Sequence, residues 1–203
     1  MADVRIIDDK DDAEIADWLA RRLSAALHQA QGTIAITLPG GSTPFPILAR
    51  LVAGHPALDW SRIVIWPGDD RCVAEDHPAS NVGRIRGMLE PAGAHIVPLV
   101  EGAHPPHFAL AWLGMGSDGH IASLFPSADP QADDPPGVRR LIPDPLPPEA
   151  PFARLTLAMA DLLASDALLF VARGPEKRAL FAEAARGGND LPVARLLASA
   201  RQP

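Results

Sequence analysis

Tyrosine is absent, cysteine occurs once, and cations are outnumbered, with 18 Lys and Arg against 25 Asp and Glu in 203 residues. A lone Cys72 excludes an internal disulfide and a cysteine-cluster zinc site, and its default role is that of a small buried hydrophobe. The net charge of −7 and the lack of tyrosine argue against nucleic acid, whose binding favours basic faces and stacking aromatics. An anionic small molecule is still compatible with this balance, provided that a few cations are focused in one cleft. Long apolar runs are missing too: none approaches the roughly 20 residues that span a bilayer. Residues 1–5 (MADVR) lack a basic region followed by an apolar stretch. The expectation is therefore a cytoplasmic protein with no membrane partner.

Proline is plentiful, at 22 residues, and nine of them fall within residues 126–151. Proline fixes φ and removes an N–H, so this stretch is not regular helix and is expected as an ordered loop or lid. It carries no collagen-like period, and no internal repeat is visible elsewhere. The remainder alternates two apolar patterns. Residues 4–7, 33–38, 63–66, 95–99, 108–113, 154–157 and 167–171 read as strands. Between them, Asp11 or Asp12 can cap a helix carrying Ile15, Leu19, Leu23 and Leu27 at i+4 spacing. Ser42 or Thr43 can cap a second helix with Pro44 in its first turn. Ser80 caps a third that follows a polar loop, and later helices are expected near 161–164, 175–185 and 192–198. Alternating strands and helices imply an α/β fold, a mostly parallel open sheet with helices on both faces. Residues 1–203 are read as one domain, within the size that one core can serve.

In such a sheet, chemistry sits beyond the carboxyl ends of the strands, so the loops that follow strands matter most. Residues 113–126 (LGMGSDGHIASLFP) place His120 in a glycine-rich turn after an apolar strand, with Asp118 two residues before it. A histidine so placed can take and return a proton near neutral pH; each of the seven histidines otherwise defaults to a structural role. Gly114-Met115-Gly116-Ser117-Asp118-Gly119 formally matches the dinucleotide fingerprint. That motif should open a helix, however, and Pro126 arrives seven residues after Gly119, so a nicotinamide site is rejected. Gly40-Gly41-Ser42-Thr43-Pro44 brings free amides, two hydroxyls and a helix start together, a pattern suited to a phosphate or carboxylate or simply to a strand-to-helix turn. Asp69-Asp70-Arg71 follows another strand. Charge alone would leave it a solvated turn; functionally, Arg71 would bind an oxyanion while Asp69 accepts hydrogen bonds or orients a catalytic group. Lys177, a cation in a helix first turn, opposes the helix dipole and suits a phosphate better than a purely structural role. No histidine spacing supports a metal.

Taken together, residues 38–44 (LPGGSTP), 69–73 (DDRCV) with Ser80-Asn81, 113–126, and Gly174 with Lys177 resemble the 6-phosphogluconolactonase family. The resemblance runs from about Thr33 to Pro192 and includes the RLTL stretch at 154–157. It implies a sheet like that of the glucosamine-6-phosphate isomerases, and hydrolysis of 6-phosphogluconolactone to 6-phosphogluconate in the pentose phosphate pathway. No metal or organic cofactor is implied, and the partner is the sugar phosphate itself, acted on by a monomer or weak homo-oligomer. His120 would be the general base that activates water and then protonates the departing ring oxygen. Asp69 would position substrate or the histidine. Arg71, Lys177 and the turn at Gly40, Gly41, Ser42 and Thr43 would hold the phosphate.

Several positions depart from the family pattern. Asp70 stands where glutamate is usual, and Ile121 where threonine is usual. The 101–107 segment is shorter than the helix-bearing equivalent, and the resemblance implies one more helix after residue 203. An isomerase or deaminase acting on an amino-sugar phosphate is the enzyme rival, disfavoured by Arg71 and by Ser123-Leu124-Phe125. A non-catalytic sugar-phosphate-binding module is the other, and such a module has no need for His120.

Overall fold

Residues 4–148 and 150–202 are described by the computed structural model. Eight strands and six α-helices follow one another there in the order α1 (Asp12–Gln29), β1 (Ile34–Leu38), α2 (Pro44–Gly54), β2 (Ile63–Pro67), β3 (Asp69–Arg71), α3 (Asn81–Leu89), β4 (His95–Ile96), β5 (Leu110–Leu113), β6 (Arg139–Leu141), β7 (Arg154–Thr156), α4 (Met159–Leu163), β8 (Leu168–Phe170), α5 (Pro175–Ala185) and α6 (Pro192–Ser199). Five strands form a sheet in the order β4-β2-β1-β5-β8, every neighbouring pair parallel. The chain runs outward from β1 through β2 to β4, then returns to the other side of β1 and continues through β5 to β8. Its direction of travel therefore reverses between β1 and β5, and the loops leaving those two strands bound the crevice in which such sheets bind ligands.

Strands buried on both faces need helices on both faces. Every residue of β1 is buried. One core cluster joins Ile34, Ile36 and Leu38 to the inner sides of α1, α2 and α3, through residues such as Leu23, Leu48 and Ile85. A second cluster gathers Ala35, Leu113 and Ile121 with Met159 and Leu162 of α4 and Val193 and Leu197 of α6. Helix α1 starts as its sequence predicts. The Asp11 carboxylate accepts from the Ala13 and Glu14 amides, at 2.8 and 2.9 Å, while Glu14 reaches back to the Asp11 N–H at 3.1 Å, a reciprocal cap. Leu19, Leu23 and Leu27 are buried at their i+4 spacing.

The α/β class and the parallel sheet hold as expected, but three local expectations do not. Residues 4–7 form no strand; they pair with none among the described residues, and Ile6 and Ile7 are half exposed. Residues 69–71 are not loop but the short strand β3, paired antiparallel with β7, which in turn pairs antiparallel with β6. Of this second sheet of three strands, β3-β7-β6, only β7 matches an expected strand (154–157); β3 and β6 escape a pattern search because they are three residues long and rich in charge. Cys72 is exposed rather than buried, since the chain leaves the sheet directly after β3.

The proline-rich stretch lacks regular helix, as expected, yet it is bound into the fold along much of its length. It contains a 3-10 turn at Pro126–Ala128 and strand β6. Gly102 donates its N–H to the Val138 carbonyl, and the Val138 N–H donates to the Ala103 carbonyl. The Gly137 N–H is taken by the buried Asp161 carboxylate at 2.8 Å. Arg195 of α6 holds both Asp129 and the Pro130 carbonyl. Val138 is buried in the same cluster as Leu99 and Phe108, so this stretch covers the sheet beside the shortened 101–107 segment.

Candidate active site

The turn after β5 is built around the imidazole of His120. Its Nδ1 lies 2.6 Å from Oδ1 of Asp118, which also accepts the His120 backbone N–H at 3.2 Å. That hydrogen bond to His120 holds the Asp118 carboxyl below the usual carboxylate range, against the opposing effect of burial. An ionised carboxylate only accepts hydrogen bonds, so the neutral imidazole carries its proton on Nδ1 and leaves Nε2 with a free lone pair. The ring rests on Gly116: a methyl group there would stand 2.2 Å from the ring atoms Cε1 and Nδ1. Phe125 flanks the ring with centroids 4.7 Å apart. Gly119 has a φ of +79°, and any side chain on it would strike Leu191. The bridges Met115 to Ile121 and Ile121 to Leu124 close the turn. Ile121, the departure next to the histidine, is wholly buried in the core and does not face the reacting region.

The strand after β2 supplies the acidic and basic partners. Alternation along β3 puts Asp69 and Arg71 on one face and Asp70 on the other. Asp70 is buried, and its carboxylate accepts from the amides of Arg71, Asn81 and Val82 at 2.8, 2.6 and 3.0 Å and from the Ser80 hydroxyl at 3.3 Å. It anchors the amino end of α3, where a negative charge meets the positive end of the helix dipole. The aspartate is long enough to make these bonds directly. Asp69 does not touch His120. Its Oδ2 accepts from the Ser123 hydroxyl at 2.5 Å and its Oδ1 from Asn81 Nδ2 at 3.3 Å. Desolvation pushes the Asp69 carboxyl above its ordinary value, opposed by Ser123, Arg71 and Arg154. The histidine is oriented by Asp118, because a carboxylate two residues away inside the same tight turn reaches Nδ1 while Asp69 is committed to Ser123.

Arg71 donates through Nη1 to the Ala79 carbonyl at 2.7 Å and to Asn81 Oδ1 at 3.1 Å. Its Nε is buried without a partner, an unsatisfied cationic donor of the kind that an oxyanion completes. Opposite it in register stands Arg154, held by the Phe152 and Ala150 carbonyls. Burial lowers the pKa of Arg154, and repulsion from Arg71 adds to the effect. Lys177 reaches across from the first turn of α5 and donates to the Met115 carbonyl at 2.8 Å, next to the glycine beneath His120. An ammonium has three donors, so two remain for a ligand.

The turn after β1 completes the rim. Gly41 adopts a φ of +82°. Among the described residues, none of the amides of Gly40, Gly41, Ser42 and Thr43 donates to a backbone carbonyl. The Thr43 hydroxyl makes no capping bond to α2. The cause is local: Thr43 has a helical backbone, φ −64° and ψ −44°, rather than the extended one of a capping residue, and Pro46, the third helical residue, offers no amide. Pro39 touches the turn after β5, since a methyl group on Gly114 would lie 3.3 Å from its Cβ. Asn81 packs so closely on Gly40 that no side chain fits there, and it also donates to the Asp69 carbonyl at 2.9 Å. All the residues singled out from sequence thus lie in loops, in helix first turns or, for Asp69 and Arg71, in the short strand β3 that follows β2. Three others complete the arrangement without having been singled out as site residues: Asn81, Ser123 and, as the orienting carboxylate, Asp118. Each sits inside a motif already noted, but its partner is known only once the fold is closed.

Comparison with known proteins follows this geometry. Residues 10–104 and 92–202 match the family described as glucosamine-6-phosphate isomerases/6-phosphogluconolactonase. A 6-phosphogluconolactonase of Pseudomonas putida is 38% identical over 202 residues, covering 88% of this chain and 80% of that protein. The crystal structure of a 6-phosphogluconolactonase from Shewanella baltica OS155 superposes with a TM-score of 0.75 at 25% identity, covering 95% of this chain and 90% of that one. A monomeric glucosamine-6-phosphate deaminase shares the fold, with a TM-score of 0.77 at 16% identity, covering 98% of this chain and 95% of that one.

Proposed function

The chain belongs to the family of glucosamine-6-phosphate isomerases and 6-phosphogluconolactonases, and on that premise we propose that it hydrolyses 6-phosphogluconolactone to 6-phosphogluconate with His120 as the general base. The observation that carries the chemical assignment is the 2.6 Å contact between Asp118 and His120 Nδ1, which presents Nε2 as the basic nitrogen. In the reaction, Nε2 takes a proton from water as the water oxygen bonds to the lactone carbonyl carbon, and the carbonyl oxygen gains the negative charge. The tetrahedral intermediate then collapses, breaking the bond from that carbon to the ring oxygen. The imidazolium returns its proton to the ring oxygen as it leaves, and the new carboxylic acid ionises in solution. The Asp118 carboxylate stabilises the transient imidazolium, in the way that the buried aspartate does in serine hydrolases.

Binding is assigned to the cations and the glycine turn. Arg71, with its orphaned Nε, Lys177, with donors to spare, and the amides and hydroxyls at Gly40, Gly41, Ser42 and Thr43 hold the phosphate. Asp69 acts through Ser123 and Asn81 and keeps the β3 and β5 loops in register with each other. Anchoring the phosphate at a distance from the carbonyl holds the lactone against Nε2, which is the entropic contribution to catalysis. The purified chain is expected to open 6-phosphogluconolactone well above the spontaneous rate. His120→Ala is expected to lower kcat by about 10²–10⁴-fold, the usual scale of general-base catalysis, while still binding 6-phosphogluconate. Equal rates for His120→Ala and the parent would remove the histidine from the mechanism.

A further inference from the structure

The phosphate-binding turn after β1 is not held by its own helix. Thr43 makes no cap, Pro46 removes one of the two amides that a cap could use, and the positive φ of Gly41 is a conformation that glycine adopts readily and also leaves readily. What holds the turn comes from α3. Arg84, one turn into that helix, donates from Nη1 to the Gly41 carbonyl oxygen at 3.1 Å. Its guanidinium carbon also lies over the ring of Phe45, 3.9 Å from the centroid, and Phe45 is the second residue of α2. One side chain thus clamps the turn and the helix start that follows it.

We propose that Arg84 is a positioning residue for the phosphate subsite, acting through the Gly41–Ser42 peptide plane. This rests on the lactonase reading above. The bond between Gly41 and Ser42 is trans, and in a trans peptide the carbonyl and the following N–H point in opposite directions. By fixing the Gly41 oxygen on the α3 side, Arg84 aims the Ser42 N–H away from α3. The planar guanidinium suits both tasks, since it stacks on an aromatic face while donating in its own plane. Asn81, three residues earlier on α3, supports Gly40 from below, so the first turn of α3 fixes two successive residues of the subsite. Selectivity for a phosphorylated lactone is then partly set from α3, by a residue that does not itself touch the reacting carbonyl.

The test compares the parent, Arg84→Leu, Arg84→Lys and the control Arg50→Leu, which removes an exposed charge from α2 without touching the turn. Steady-state kinetics on 6-phosphogluconolactone is paired with calorimetric binding of 6-phosphogluconate. Arg84→Leu is expected to raise both KM and the product Kd by about fivefold, the scale of one exposed cation–π and carbonyl clamp, with kcat within a factor of about two. Arg84→Lys keeps the charge without the planar fork and is expected to recover less than half of the loss. Arg50→Leu is expected to match the parent. Full recovery by Arg84→Lys, an equal loss in Arg50→Leu, an unchanged Kd in Arg84→Leu, or a loss confined to kcat each overturns the proposal. A parent that binds 6-phosphogluconate but fails to accelerate lactone opening overturns the hydrolase reading and leaves the Arg84 comparison standing; a parent that does not bind it overturns both.

Discussion

The turn after β5 and the strand after β2 carry the site together, but they are held in opposite ways. The groups that touch the His120 ring come from its own turn: Gly116 beneath the ring, Asp118 on Nδ1 and Phe125 tilted against it. The groups of β3 are set from a distance. Asp69 is tied to Ser123, 54 residues away, and to Asn81, 12 residues away, while Asp70 holds the amino end of α3. A self-contained turn positions one side chain finely and contributes little to the rest of the fold. A strand tied to distant elements does the converse, so damage to it spreads into stability.

Gly116→Ala should break the first region alone, with the largest effect. Gly116 has no positive φ, so alanine does not strain its backbone there, and the nearest conflicts of the methyl group are the imidazole at 2.2 Å and Asp118 Oδ1 at 2.6 Å. Displacing the base by about an ångström is expected to lower kcat about 100-fold, with little change in Tm. A parallel fall in Tm would mean that the turn is coupled to the core after all. Asp70→Asn should break the second region alone. Amidation replaces one of two oxygens that together accept four hydrogen bonds by a donor facing donors. A loss of about 2 kcal/mol in unfolding free energy is expected for a buried charged acceptor, read by urea denaturation. Unchanged stability with lost activity would move Asp70 from the framework into the chemistry.

The same contrast explains what the sequence disclosed. His120, its glycines and Asp118 stand within a few residues of one another, so their association is visible as spacing. The long strands and α1, α2 and α3 are equally visible, because apolar periodicity and the Asp11 and Ser80 caps are local signals. The three-stranded sheet was not legible as a sheet: of its members only β7 reads as a strand, while β3 and β6 are short and charged and are defined by their pairing with β7 rather than by an apolar pattern. For the same reason Asp69 was matched with the histidine on chemical type, while its partner Ser123 lay unmarked in the very motif that contains His120. Asn81 is marked only as part of a motif and Arg84 lacks any local mark: what gives them their roles is that α3 places its first turn against the Gly40-Gly41 turn.

The smallest effect, and the sharpest separation of the two regions, is expected in the acid limb of stability. Asp118 has a folded pKa below its ordinary value of 3.8, because of its bond to His120. Its carboxylate therefore contributes stability that is present above pH 3.8 and is lost as pH falls through the lower, folded value. Asp69 has the opposite sign. Its folded pKa is raised above 3.8 by desolvation, so the folded chain holds that proton more tightly than the unfolded one, and stability drains as pH rises from 3.8 through the raised value. Unfolding free energies measured between pH 3 and pH 6 should therefore respond differently to the two amides. Asp118→Asn should flatten the loss below pH 3.8, whereas Asp69→Asn should flatten the decline above it and leave the lower limb intact. Identical profiles for the two variants would mean that the two carboxyls share one environment, and the division between a self-contained turn and a tied strand would then fail.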